Sequence, residues 1–218
     1  MVLKNVWEFL KTELLAFSST SKLFNHYKDN IPELDLPSGN LIRLNNLYNY
    51  LQSFSERPLI LIIGEAPGIK GCRFSGVPFT SEEQLINGKL PFKGGKSSRR
   101  KKPYSESTAT IFWNIMFPYF PYFFLWNCIP FHPYKENHYS LNRTPSKKEI
   151  FSFSFITKEL IELLQPKIII ALGKSAEYML RDVLRIPYIY VRHPSYGGKQ
   201  EFCRKIKSIF DQIFNSKR

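Results

Sequence analysis

Residues Leu59 to Gly68 read LILIIGEAPG. Five apolar residues, Leu59 to Ile63, run without a break into Gly64-Glu65-Ala66-Pro67-Gly68. A short apolar run closed by glycine and proline predicts a strand buried on both faces, the pattern of a parallel sheet. The turn sets Glu65 at the strand's C-terminal end, the edge where open α/β sheets bind ligands. On this stretch alone, a solvated glutamate in an ordinary strand-to-loop turn accounts for Glu65 equally well.

Outward from that strand, apolar patterns alternate between two periods. Towards the N-terminus, residues 40–54 carry Leu41, Leu44, Leu47, Tyr48 and Leu51 at helical spacing. Residues 3–17 do the same with Leu3, Val6, Trp7, Leu10, Leu14 and Leu15. Between them, residues 22–29 read as a short helix at best, and Pro32, Pro37 and Gly39 mark a loop. Towards the C-terminus, Tyr122–Asn127 and Lys167–Gly173 read as buried strands, with a shorter one at Pro187–Val191. Helices are expected over 81–90, from the Ser105–Thr108 cap to Pro118, over 146–164, over 175–184 and over 199–214. Ser146 and Glu149 have capping-box spacing. Cys128 to Pro145 reads as a long proline-containing loop. The alternation predicts a three-layer α/β/α domain with a four-stranded, mainly parallel sheet over residues 55–218. Residues 1–54 are expected to form a helical segment packed on it.

The 218 residues carry a net charge of +13, which favours a polyanionic partner: nucleic acid before an anionic membrane surface. Residues 93–102, KGGKSSRRKK, hold six of these cations. They read as a solvated, flexible loop in which Lys96, Arg99, Arg100, Lys101 and Lys102 contact DNA phosphates. The apolar runs fall short of the ~18 to 20 residues that span a bilayer, and no leader pattern opens the chain. The expectation is a cytoplasmic monomer, nucleoid-associated if bacterial, with DNA and no membrane as partner. Cys72, Cys128 and Cys203 are scattered, with no Cys-x-x-Cys pair. That is neither a disulfide framework nor a four-cysteine cluster, so reduced thiols, no cofactor and no metal are expected.

Parallel strands bring their C-terminal ends to one edge, so Glu65, Asn127 and His193 can converge on one pocket. Its floor would be Gly64, Ala66 and Pro67, and Phe79 could wall it. An asparagine reads a base edge with one acceptor and two donors. A phenylalanine stacks on a base face. A carboxylate positions water, and a histidine donates to a developing anion. The stretch Pro194-Ser195-Tyr196-Gly197-Gly198-Lys199 offers backbone N–H donors, one ring and one cation, suited to close approach to a phosphate backbone. Each residue alone has a plainer reading: Asn127 pairing loop backbone, His193 in a turn, Phe79 in the core. His132 reads as loop packing, and Asn142 and Arg143 as loop organisers. A metal set of His132, His138, His193 and Glu65 lacks ligand spacing.

Taken together, GEAPG, SGVPF (75–79), NCIPFHP (127–133), ALGKSA (171–176) and HPS (193–195), in this order, resemble the uracil-DNA glycosylase superfamily over roughly residues 55 to 212. GEAPG resembles the thermophilic-type branch and SGVPF the single-strand-selective monofunctional branch. NCIPFHP followed by NRTP resembles bacterial members of unsettled specificity. The resemblance implies that Glu65 lies in the water-activating motif, Phe79 stacks on the base and Asn127 reads it. It implies that His193 stabilises the leaving group, and that Pro194, Ser195 and Tyr196 belong to a loop inserting at the flipped nucleotide. Two departures stand out: Ala66 replaces the aspartate of the best-known members, and the cluster cysteines of the thermophilic-type branch are absent. The activity implied is monofunctional hydrolysis of an N-glycosidic bond to uracil or a related pyrimidine, with no lysine in the motifs as a Schiff-base nucleophile. Excision of hypermodified phage cytosine as defence, and a non-catalytic DNA-binding module, are the alternatives.

Overall fold

The computed structural model describes residues 2–136 and 138–215. The elements open with α1 (Lys4–Ala16), β1 (Leu23–Phe24), α2 (Gly39–Gln52) and β2 (Ile60–Gly64). Two short helices follow, α3 (Cys72–Ser75) and α4 (Glu82–Ile86), then α5 (Ser107–Met116) and β3 (Phe123–Asn127). A hairpin of β4 (His132–Lys135) and β5 (His138–Asn142) leads to α6 (Lys147–Leu164) and β6 (Ile168–Leu172). The chain closes with α7 (Lys174–Tyr178), a π-turn over Met179–Leu184, β7 (Ile189–Val191) and α8 (Lys199–Asn215).

Four strands form one parallel sheet in the order β3-β2-β6-β7. β2 and β3 are buried at every position, so both faces of the sheet are covered and their apolar runs need no polar alternation. The β2–β3 register pairs Gly64 with Asn127. That pairing sets the end of the opening strand beside the asparagine of its neighbour. The Ser146–Glu149 capping box forms as expected and starts α6.

The N-terminal segment shares the core of the sheet: Val6, Leu10, Leu14, Leu47 and Leu51 lie in one cluster with Ile60–Ile63. Two tyrosines tie it by hydrogen bonds. Tyr27 Oη donates to the Gly76 carbonyl at 2.8 Å, and the Leu125 N–H donates to Tyr50 Oη at 2.8 Å. The second of these lies on the outer side of β3, the edge strand of the sheet.

Three local expectations are corrected. Residues 23–24 are a strand, not a helix, pairing antiparallel with β4. The stretch after Cys128 is not all loop: β4 and β5 complete a second, three-stranded sheet in the order β1-β4-β5. The basic stretch is not a free loop. Ser97 and Ser98 are fully buried, and Glu82 Oε1 accepts from both of their N–H groups at 2.7 and 2.8 Å. Ser98 Oγ and the Tyr104 N–H donate to Glu82 Oε2, and the Arg99 N–H donates to the Leu34 carbonyl. Below it, the Asp35 carboxylate accepts from both Arg43 and Arg73, all three fully buried. Burial alone would raise the Asp35 carboxyl, but the Arg73 hydrogen bond and the two guanidinium charges hold it below the usual carboxylate range.

Candidate active site

The C-terminal edge of the sheet opens into a cavity of about 790 Å³. Its lining includes Glu65, Phe79, Asn127 and His193, from four separate segments. Ala66, Ser195 and Tyr196 also line it, so most of the expected site residues converge. Gly64 lies beneath them. Pro67 is buried and turned away, its carbonyl 2.7 Å from His132 Nδ1. Pro194 is buried in the loop, and Lys199 is exposed at the start of α8.

Gly64 decides the inner wall. A Cβ added there would lie 2.2 Å from Phe79 Cζ and 2.9 Å from Asn127 Oδ1. Only a glycine lets the ring and the amide meet over the strand end. Phe79 holds a positive φ of 54°, a costly conformation for a bulky residue. Its ring stacks on Phe112 at 4.8 Å and stands 6.3 Å from His193. Asn127 is 4% exposed, and its side-chain amide makes no hydrogen bond to any described residue. The amide lines the cavity, so its hydrogen-bonding capacity is open to a ligand there.

His193 occupies the other side. Its Nδ1 lies 2.7 Å from Ser195 Oγ and 3.4 Å from the Ser195 N–H. A backbone N–H can only donate, so Nδ1 is the acceptor and Nε2 carries the proton in the neutral ring. Burial holds His193 below the ordinary histidine value, which keeps it neutral at pH 7. The neutral ring therefore offers one N–H, on Nε2. Beyond it the chain turns outward: Tyr196 has a φ of 48° and is 98% exposed.

Several lining residues, Ser175, Glu106 and Thr108 among them, lie outside the expected site residues. Ser175 Oγ donates to Glu65 Oε2, which fixes that carboxylate oxygen and leaves the other without a hydrogen bond among the described residues. Ser175 lies within ALGKSA, so the motif held the signal. Glu106 and Thr108 read as helix caps, yet both line the cavity. Asn142 and Arg143 also reach it; Asn142 Oδ1 accepts from the Ile69 N–H just past the β2 turn. The basic residues lie apart from the cavity lining. Arg99, Arg100, Lys101 and Lys102 are exposed, whereas Lys96 folds back onto the Ser98 and Arg100 carbonyls. Arg100 lies 4.4 Å over the Tyr104 ring.

Cys72 and Cys128 are buried and Cys203 is exposed, all three as free thiols. No helix among the described residues is long and apolar enough to cross a membrane.

A family model described as the uracil DNA glycosylase superfamily matches residues 51–213. A search of curated protein sequences finds no match. Among solved structures, wild-type SMUG2 of Pedobacter heparinus is similar in fold, with a TM-score of 0.65. The match covers 96% of this chain and 98% of that one, at 17% identity.

Proposed function

Because the chain belongs to the uracil DNA glycosylase superfamily, we propose that it hydrolyses the N-glycosidic bond of a uracil or related pyrimidine flipped out of DNA, as a monofunctional glycosylase. The observation that carries this reading is the Asn127 amide lining the cavity beside the Phe79 ring, across Gly64. The pair fits a flat, hydrogen-bonding ligand: Phe79 takes the face and Asn127 the N3–C4 edge.

The target nucleotide leaves the stack at a cost of about a few kcal/mol. A water oxygen bonds to the sugar C1′ as the bond from C1′ to the base nitrogen breaks. One water proton passes to Glu65, whose other oxygen Ser175 holds. The electron pair of the broken bond leaves with the base, and its charge spreads onto the O2 carbonyl. Nε2–H of neutral His193 donates to that oxygen, a preorganised dipole where charge develops. On the DNA side, Tyr196 inserts where the base has left, and the exposed Arg99, Arg100, Lys101, Lys102 and Lys199 meet phosphates.

Release of free base from oligonucleotides carrying uracil, other deaminated bases or modified cytosines tests the reading. Asn127→Ala is expected to lower release by about 100-fold or more, since a site built to pair a polar edge loses most of its discrimination without it. If no substrate yields an abasic site while salt-sensitive DNA binding persists, the chain is a binding module and not an enzyme.

A further inference from the structure

The mechanism above uses one end of the cavity and leaves a second carboxyl idle. Glu106 stands at the N-cap position of α5, where its backbone carbonyl accepts from Thr110 but its side chain caps no N–H of that helix. Its carboxyl makes no hydrogen bond to any described residue, and burial raises it above the usual carboxylate range, with Lys70 pulling the other way. Its place is made by two glycines of the β2 turn. A Cβ at Gly71 would lie 2.1 Å from Glu106 Oε2, and one at Gly68 would lie 3.0 Å from Oε1. Glu106, Thr108 and Asn142 line the same cavity as Asn127 and His193. Asn142 spends its Oδ1 on the Ile69 N–H, so its amide donors remain. The result is a second set of polar groups, Glu106, Thr108 and Asn142, in the lining of the same cavity.

The pose proposed above assigns the other edges of the base. Asn127 takes N3 and C4, and His193 takes O2, next to the bond that breaks. The C5 edge is left. The residues around Glu106 come from the β2 turn and the hairpin rather than from β6 or β7, which places this polar set away from His193.

We propose that Glu106 is a specificity-determining residue: its carboxyl accepts a hydrogen bond from an amino or hydroxyl substituent on the C5 edge of the excised base. The proposal rests on the glycosylase reading for its pose. A carboxyl accepts in either protonation state, so neutral and cationic donors both qualify, and an ammonium gains charge assistance.

The test uses the full chain and oligonucleotides with one central 5-methyl-, 5-hydroxymethyl- or 5-aminomethyluracil. The readout is the ratio of kcat/KM for each donor-bearing base over the methyl base, which is similar in size but has no donor. The wild-type ratio is expected to be about tenfold or more, the scale of one hydrogen bond to a charged or buried partner. Glu106→Leu is expected to bring it to about one. Glu106→Gln, which keeps an acceptor, is expected to retain it for hydroxymethyl and lose part of it for aminomethyl. A wild-type ratio near one, or a ratio unchanged in Glu106→Leu, overturns the proposal, whatever happens to the absolute rates. The same ratio is read in affinity with 2′-fluoro-arabino nucleotides, which resist hydrolysis. Selective binding that Glu106→Leu abolishes, with no base released, upholds the role of Glu106 and defeats the enzyme reading; release without selectivity does the reverse.

Discussion

The two sides of the cavity are built on opposite plans. The inner wall sets the ends of two strands, Gly64 and Asn127, against the Phe79 ring, with contacts so close that a single methyl group does not fit. The outer side, His193 to Tyr196, is a loop whose tip is almost wholly in solvent. The inner wall has the shape of a template and can reject a wrong base. The loop has the reach of a probe and can enter a strand. Recognition of a base and access to it are thus carried by separate segments, and substitutions should separate them.

Gly64→Ala is the harshest test of the inner wall. Its Cβ must displace either the Phe79 ring or the Asn127 amide, and a shift of about 1 Å at such a site costs about 100-fold. Base release from both single-stranded and duplex DNA is expected to fall by at least that factor. Equal activity in the variant would show that the wall is not the template described.

His132 sharpens the comparison through stability. It holds the turn after β2 from behind, with Nδ1 donating to the Pro67 carbonyl. Burial lowers its pKa from the free value of about 6.5 to about 4. The folded value lies below the unfolded one, so the unfolded chain binds more protons between them. Stability is therefore full above about pH 6.5 and declines as pH falls towards 4, by up to about 3 kcal/mol from this group. Urea midpoints measured across that range should show the decline, and His132→Asn should flatten it. Buried His26 is shifted in the same direction, so part of the slope should survive.

The smallest effect belongs to the loop tip. Tyr196→Ala removes a ring that is almost wholly in solvent, so the unfolding free energy should stay within about 0.5 kcal/mol of wild type. Release from duplex DNA is expected to drop about tenfold, in line with the ~1–3 kcal/mol of one aromatic–base stack, and release from single strands by less. A larger loss on single strands would assign Tyr196 to the pocket rather than to strand entry.

The parts of the fold legible in the sequence are those whose pattern comes from local burial. Strands covered on both faces show as continuous apolar runs, which is why Ile60–Gly64 and Phe123–Asn127 could be placed closely. The polar residues at their ends followed from geometry. The hairpin was not legible because β5 is exposed at all five positions and carries no alternation. Its strand partner, β1, is too short to have a period. The basic stretch misled for another reason: its composition is that of a solvated loop, but Glu82 and Asp35, distant in sequence, bury its two serines. Glu106 was hidden among cap-forming neighbours, since no local signal tells a capping carboxylate from one that faces a cavity.

The hydrogen bond from the Leu125 N–H to Tyr50 has a consequence for handling this protein. The outermost strand of a sheet is a ready template for a neighbouring molecule unless its backbone groups are engaged. Tyr50 occupies one such group on β3, and it stands just before residue 51, where the match to the family model begins. A chain trimmed to the matching residues would keep Glu65, Phe79, Asn127 and His193 yet lose this guard. It is expected to be prone to clumping strand against strand, so the extent of family similarity is a poor guide to where this protein can be cut.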